Sequence, residues 1–90
     1  MPHLRDEAES LLKMLRRAIE TAKADIAAIP ADTHPLLRQF DVLAATREAT
    51  GIAETVLARA DQYGTRIGRE AVQLARMWLD GDLLPREVRA

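Results

Sequence analysis

The chain has 90 residues, of which 48% are hydrophobic and 30% are charged, and its formal net charge at pH 7 is −1. This length predicts a single domain, and the near-neutral balance excludes a global field that would attract nucleic acid or an anionic membrane. The chain has no cysteine, which excludes a disulfide framework and a zinc–thiolate site.

The composition favours helices. Sixteen residues are alanine, and the only aromatic residues are Phe40, Tyr63 and Trp78, a mixture rich in helix formers and poor in strand formers. No apolar run approaches the roughly 18 residues of a membrane span. The first residues lack the pattern of a signal peptide, so we expect a cytoplasmic protein. Eleven arginines against two lysines, with no asparagine, suggest a bacterial or phage source.

The first predicted helix covers about residues 4–29. Asp6 and Glu9 have the spacing of a capping box, with Pro2 in the first turn as the alternative start. Pro30 should end the helix because it forces the preceding residue out of the helical region. One broad face of this helix is apolar. Its members are Ala8, Leu11, Leu12, Leu15, Ala18, Ile19, Ala22, Ile26 and Ile29.

The second predicted helix covers about residues 35–63, with Asp32 and Thr33 as candidate N-caps and Gly64 as a left-handed C-cap. Steps of three and four residues define one apolar line, which indicates a helix. The line consists of Val42, Ala45, Ala49, Ile52, Val56, Ala60 and Tyr63, and it is widened by Phe40, Leu43, Ala53 and Leu57. A face this wide requires more than one packing partner.

Gly51 lies near the centre of this helix, where glycine costs about 1 kcal/mol relative to alanine. Three interpretations remain open from the sequence. The glycine permits close helix–helix approach, or it kinks or breaks the helix, which would give four helices, or it serves as a functional hinge.

The third predicted helix covers about residues 65–80, with Thr65 as its N-cap and Gly81 at its end, followed by a short C-terminal tail over 81–90. Short connections between helices imply antiparallel neighbours. The predicted fold is therefore a single all-α domain: an antiparallel three-helix bundle built on a long αα-hairpin. Because three helices bury one another only partly, we also expect a homodimer or a docking groove.

Two groups of residues are candidates for partner binding. The first is the cluster near the end of the third helix, formed by Trp78, Leu79, Leu83 and Leu84. The second is Arg47, a charge that enters the apolar stripe of the second helix and is costly there unless paired. The alternatives are that the cluster completes the core and that Arg47 extends to the edge of the bundle.

A charged stripe on the third helix is the strongest pattern outside the core. Its members, spaced by three and four residues, are Arg66, Arg69, Gln73 and Arg76. Arginine and glutamine can bind base edges or phosphates, and the turn before this helix gives the outline of a helix-turn-helix. The alternatives are an acidic protein partner and a solvated face braced by Arg66–Glu70 and Arg76–Asp80 pairs.

No pattern of catalytic or metal-binding residues is visible. The two histidines, His3 and His34, lie at a chain end and in a loop, and neither belongs to a ligand motif. We expect no cofactor and no enzyme activity. The sequence favours a small helical interaction protein (an adaptor, inhibitor or regulator), with a nucleic-acid-binding regulator that uses the charged stripe as the alternative.

Overall fold

The computed structural model describes residues 2–88, which form three helices and contain no strand. Residue 1 and residues 89–90, included in the predicted domain and tail, lie outside the described residues. Helix α1 spans Pro2–Ala27, α2 spans Pro35–Ala58 and α3 spans Arg66–Leu79. Short 3₁₀ turns at Ala60–Gln62 and Arg86–Val88 complete the chain. The prediction of an all-α protein with three packed helices is confirmed.

The ends of α1 differ from the prediction by two residues. The helix begins at Pro2, because proline needs no hydrogen-bond acceptor for its nitrogen in a first turn, so Asp6 lies inside the helix instead of capping it. It ends at Ala27, before Ile29 and Pro30. Just beyond the helix, the amide of Ile29 donates to the carbonyl of Ile26, three residues earlier, at 3.1 Å. The backbone thus leaves α-helical spacing before it reaches Pro30.

The start of α2 is capped by a different residue from those predicted. The amide of Leu36 donates to Nδ1 of His34 at 3.1 Å, so His34 fills the role expected of Asp32 or Thr33.

The end of α2 is also shorter than predicted, at Ala58 instead of Tyr63. From Arg59 the backbone tightens into a 3₁₀ turn, and the amide of Tyr63 donates to the carbonyl of Ala60 at 3.1 Å. The tighter turn directs Tyr63 into the core, where its side chain is buried. Gly64 does not form the predicted left-handed cap. Among residues 2–88, positive φ occurs at Gly81 and not at Gly64.

The core lies where all three helices meet. It consists of Ala8, Leu12, Leu15, Ala18, Ile19, Ala22 and Ile26 from α1, Ala49, Ala53 and Val56 from α2, Tyr63 from the connection, and Ala71, Ala75 and Trp78 from α3. Half of these side chains are alanines, which allows the helix backbones to approach closely. The core residues of α2 all lie in its second half.

The two helical glycines behave in opposite ways. Gly51 lies in an unbroken α2, and a Cβ added there meets nothing within 4 Å. Of the interpretations drawn from the sequence, neither close approach nor a break therefore holds. At Gly68 a Cβ would stand 2.6 Å from Cβ of Tyr63 and 2.9 Å from its carbonyl oxygen. Gly68 is thus the glycine that allows two segments to touch.

These environments predict opposite effects of alanine. Gly51→Ala should raise the free energy of unfolding by about 0.5–1 kcal/mol, because it restricts the unfolded chain and meets no obstacle. Gly68→Ala should lower it by roughly 1–3 kcal/mol, because backbone atoms of Tyr63 must move. Urea unfolding followed by the fluorescence of Trp78 measures both, and a Gly68→Ala variant as stable as the parent would contradict the packing described.

Candidate functional site

The charged stripe predicted on α3 lies on the protein surface, with Arg66, Arg69, Gln73 and Arg76 all exposed. Three of them line a shallow hollow of about 480 Å³ that also contains Asp61 and Asp80. The two carboxylates balance the two guanidinium groups there, so the hollow is not a concentrated positive site.

The ion pairing of the charged stripe also differs from the expected Arg66–Glu70 pair. Glu70 pairs with Arg16 of α1, not with Arg66 one turn earlier on its own helix. The contact ties α3 to α1, and both partners are largely exposed, so it contributes little to stability.

The predicted aromatic and aliphatic cluster is mostly part of the core. Trp78 is only 3% exposed, and its Nε1 donates a hydrogen bond to Oγ1 of Thr50 at 3.1 Å. Leu83 and Leu84 are partly buried and pack against the core. Of the four, Leu79 is the most exposed, at 39%. Burial thus leaves Trp78 with no surface for a partner, contrary to the sequence expectation.

A different apolar surface lies on the first half of α2. The side chains of Leu36, Leu37, Phe40 and Leu43 are 55%, 57%, 61% and 62% exposed. At roughly 100° per residue, they occupy an arc of about 120° opposite Val42 and Ala49, which face the bundle. We call these four residues the outer patch. The first half of α2 is therefore apolar on two faces, and the bundle covers one of them.

The length of α3 explains part of this exposure. With 14 residues against 24 in α2, α3 is about 15 Å shorter at roughly 1.5 Å per residue. Trp78, near its C-terminal end, reaches α2 at Thr50. The first half of α2 therefore extends beyond the region where α3 packs.

Arg47 follows the outer patch on the same side of α2, one turn after Leu43. Its side chain is exposed, and no ion pair of the described residues includes it. Its exposure agrees with an arginine at the edge of the bundle, and its role as a partner contact stays a prediction.

The sequence pattern contains three members of the outer patch, since Leu36, Phe40 and Leu43 form the apolar stripe that Arg47 would continue. The pattern also predicts that Phe40 and Leu43 widen the inner line of α2, whereas both side chains are exposed. The available signal was their angle, since they lie on the far side of the helix from Val42 and Ala49. A helix with apolar residues on two opposite faces needs a packing partner on each of them.

A polar cluster of Glu7, Arg59 and Tyr63 lies at the end of the bundle away from the outer patch. Nε of Arg59 lies 2.8 Å from Oε1 of Glu7, an ion-pair contact without hydrogen-bond alignment. The shielded hydroxyl of Tyr63 also has no hydrogen-bond partner. Burial raises the pKa of Tyr63 above its ordinary value of 10.0, and the nearby carboxylate of Glu7 raises it further, against the opposing effect of Arg59.

Among the side chains that the structure describes, no group of three or more His, Cys, Asp or Glu is placed to hold a metal ion. No helix among these residues combines the length and apolarity needed to cross a membrane. Comparison with protein-family models, with curated proteins and with solved structures finds no match for this chain.

The position of Tyr63 predicts a loss of stability at high pH. Its pKa is raised in the folded state, so above pH 10 the unfolded chain releases a proton that the folded protein retains. The free energy of unfolding should therefore fall as pH rises above about 10. Tyr63→Phe should remove this part of the fall and cost little at neutral pH, because the lost hydroxyl has no partner.

The measurement is chemical denaturation of both proteins from pH 7 to pH 11. The two proteins differ only at this side chain, so the difference between the two curves isolates Tyr63. If the free energy of unfolding falls by the same amount in both proteins over this pH range, the environment described for the hydroxyl of Tyr63 is contradicted.

Proposed function

We propose that this chain is a small non-catalytic helical interaction protein, an adaptor, inhibitor or regulator, that binds a protein segment on the outer patch of α2. The observation that carries the proposal is the exposure of the four neighbouring side chains Leu36, Leu37, Phe40 and Leu43. Contiguous apolar surface of this kind on a small protein is typical of an interaction site.

The free energy available at the patch supports docking. Complete burial of a leucine or phenylalanine side chain contributes about 1.5–3 kcal/mol. Since more than half of each side chain is still exposed, covering the four would contribute roughly 4–6 kcal/mol in total. Polar residues at the margin, Gln39, Asp41 and Arg47, give the patch the apolar centre and polar rim of a protein interface.

The bundle holds the patch on a rigid support. In this proposal α1 and α2 form an antiparallel αα-hairpin, since Glu7 lies beside Arg59 at one end and Met14 lines a common hollow with Glu48 farther along. Docking on a preformed helix face requires little ordering of the protein itself, which favours binding.

Nucleic-acid binding by the charged stripe of α3 receives less support. Asp61 and Asp80 share the hollow of Arg69 and Arg76, and their charge would repel phosphates. A binding surface for a phosphate backbone is expected to be strongly positive.

The proposal predicts that a charged group on the patch abolishes partner binding. A tagged bait would be exposed both to an extract of the source cells and to an untagged copy of the chain. Phe40→Asp should lose whatever the parent bait retains, because a buried unpaired carboxylate opposes docking. Met14→Asp is the matched control, since Met14 is a large apolar residue, 51% exposed, on a different helix.

A second bait tests the alternative surface. Arg69→Glu combined with Arg76→Glu should leave binding unchanged. Loss of binding by this bait while the Phe40→Asp bait retains it would overturn the proposed function.

A further inference from the structure

We infer that the outer patch binds a second copy of the chain, with the two α2 helices antiparallel and a two-fold axis passing at Phe40. This inference rests on the proposed function and names the occupant of the same site. It is carried by the symmetry of the patch, by the charges beyond its two ends and by its size.

The arrangement of the patch is symmetric along α2. Leu36 and Leu37 lie four and three residues before Phe40, and Leu43 and Ala44 lie three and four residues after it. A two-fold interface requires that if residue i contacts residue j, then j contacts i. About an axis at Phe40, Leu37 meets Leu43 of the other copy and Leu36 meets Ala44. Each apolar side chain therefore faces another one, and small Ala44 leaves room for Leu36.

The charges beyond the apolar residues are also complementary. Arg47 lies seven residues after Phe40, and Asp32 lies eight residues before it. In the antiparallel arrangement the guanidinium of one copy falls beside the connection that carries Asp32 in the other, and symmetry forms this contact twice. Both side chains are exposed, and no ion pair among the described residues includes either of them. The predicted dimer thus gives Arg47 a carboxylate, which no ion pair among the described residues supplies.

The size of the surface suits a dimer of moderate stability. The exposed parts of the four patch side chains amount to roughly 400–500 Å² per copy, within the usual range of a functional patch. Two copies therefore supply about 800–1,000 Å², and Ala44, Arg47 and the connection before α2 bring the total near the lower end of specific interfaces, about 1,200 Å². We expect a dissociation constant on the order of 1–100 µM.

Light scattering coupled to size-exclusion chromatography, from about 1 µM to 1 mM, tests the inference on the full chain. The parent should pass from monomer to dimer across this range. Phe40→Asp and Leu37→Asp should raise the dissociation constant at least ~100-fold and so stay monomeric at concentrations at which the parent is already dimeric, while Met14→Asp should dimerise like the parent. Circular dichroism verifies that each variant is folded.

A charge swap tests the register. Arg47→Glu should weaken the dimer about 5–10-fold, because it places two carboxylates together. Adding Asp32→Arg to the same chain should restore the parent value within about threefold. Rescue by Glu54→Arg instead would place the axis elsewhere on α2 and overturn the register.

Mixed cysteines test the direction, since the chain has no cysteine of its own. Leu36→Cys mixed with Ala44→Cys should form a disulfide between the two variants, and neither should do so alone. If each variant on its own forms a disulfide between two of its copies, the two α2 helices are parallel and the inference is contradicted.

The outcomes separate this inference from the proposed function. A parent that stays monomeric to 1 mM, or a Phe40→Asp variant that still dimerises, overturns the two-fold pairing. If such a monomer still captures another protein through Phe40, the proposed function stands with a different occupant. If Phe40→Asp alters neither self-association nor capture, both fail.

Discussion

Over its first half, α2 carries apolar side chains on two faces, and the bundle buries one of them. The inner face begins with Val42 and Ala45, which are half-buried, and becomes fully buried at Ala49. The outer face carries the patch centred on Phe40. Because an apolar helix face is stabilised in water by being covered, the outer face of α2 is the surface on which we propose that a partner docks.

The rest of the bundle provides a firm base for that element. Alanines at the helix contacts bring the backbones together, and the Trp78–Thr50 hydrogen bond fixes the end of α3 against the middle of α2. The contact of Gly68 with Tyr63 fixes the connection between the same two helices at the other end. The outer patch therefore lies on a helix whose second half is held by packing, while its first half presents the apolar surface.

Helical periodicity is sufficient to predict the three helices and three of the seven residues of the apolar line of α2 as buried, the other four being half-buried. Ala49, Val56 and Tyr63 are buried as the spacing indicates, although the helix that should carry Tyr63 ends at Ala58 and a 3₁₀ turn delivers the side chain instead. Periodicity assigns a residue to a face of its helix, but it does not say how far a neighbouring helix extends. That is why Phe40 and Leu43 were counted with the core.

The other differences have the same origin in tertiary contacts. Tryptophan is enriched among the hot spots of interfaces, yet Trp78 lies on the inner face of α3, donates to the hydroxyl of Thr50 and is buried in the core. Gly64 follows α2 and has the sequence character of a C-cap. The fold instead requires glycine at Gly68, because a Cβ there would clash with Tyr63. Neither contact is encoded in local spacing.

Amide hydrogen exchange as a function of protein concentration is the most direct test of the claim that the outer face of α2 is a docking surface filled by a second copy. The first half of α2, residues 35–47, should exchange more slowly as concentration rises from about 1 µM to 1 mM. Residues 49–58, already packed in the bundle, should serve as an internal reference that changes much less. If protection over 35–47 is independent of concentration, or if the slowing is confined to α3, the account of the outer patch is contradicted.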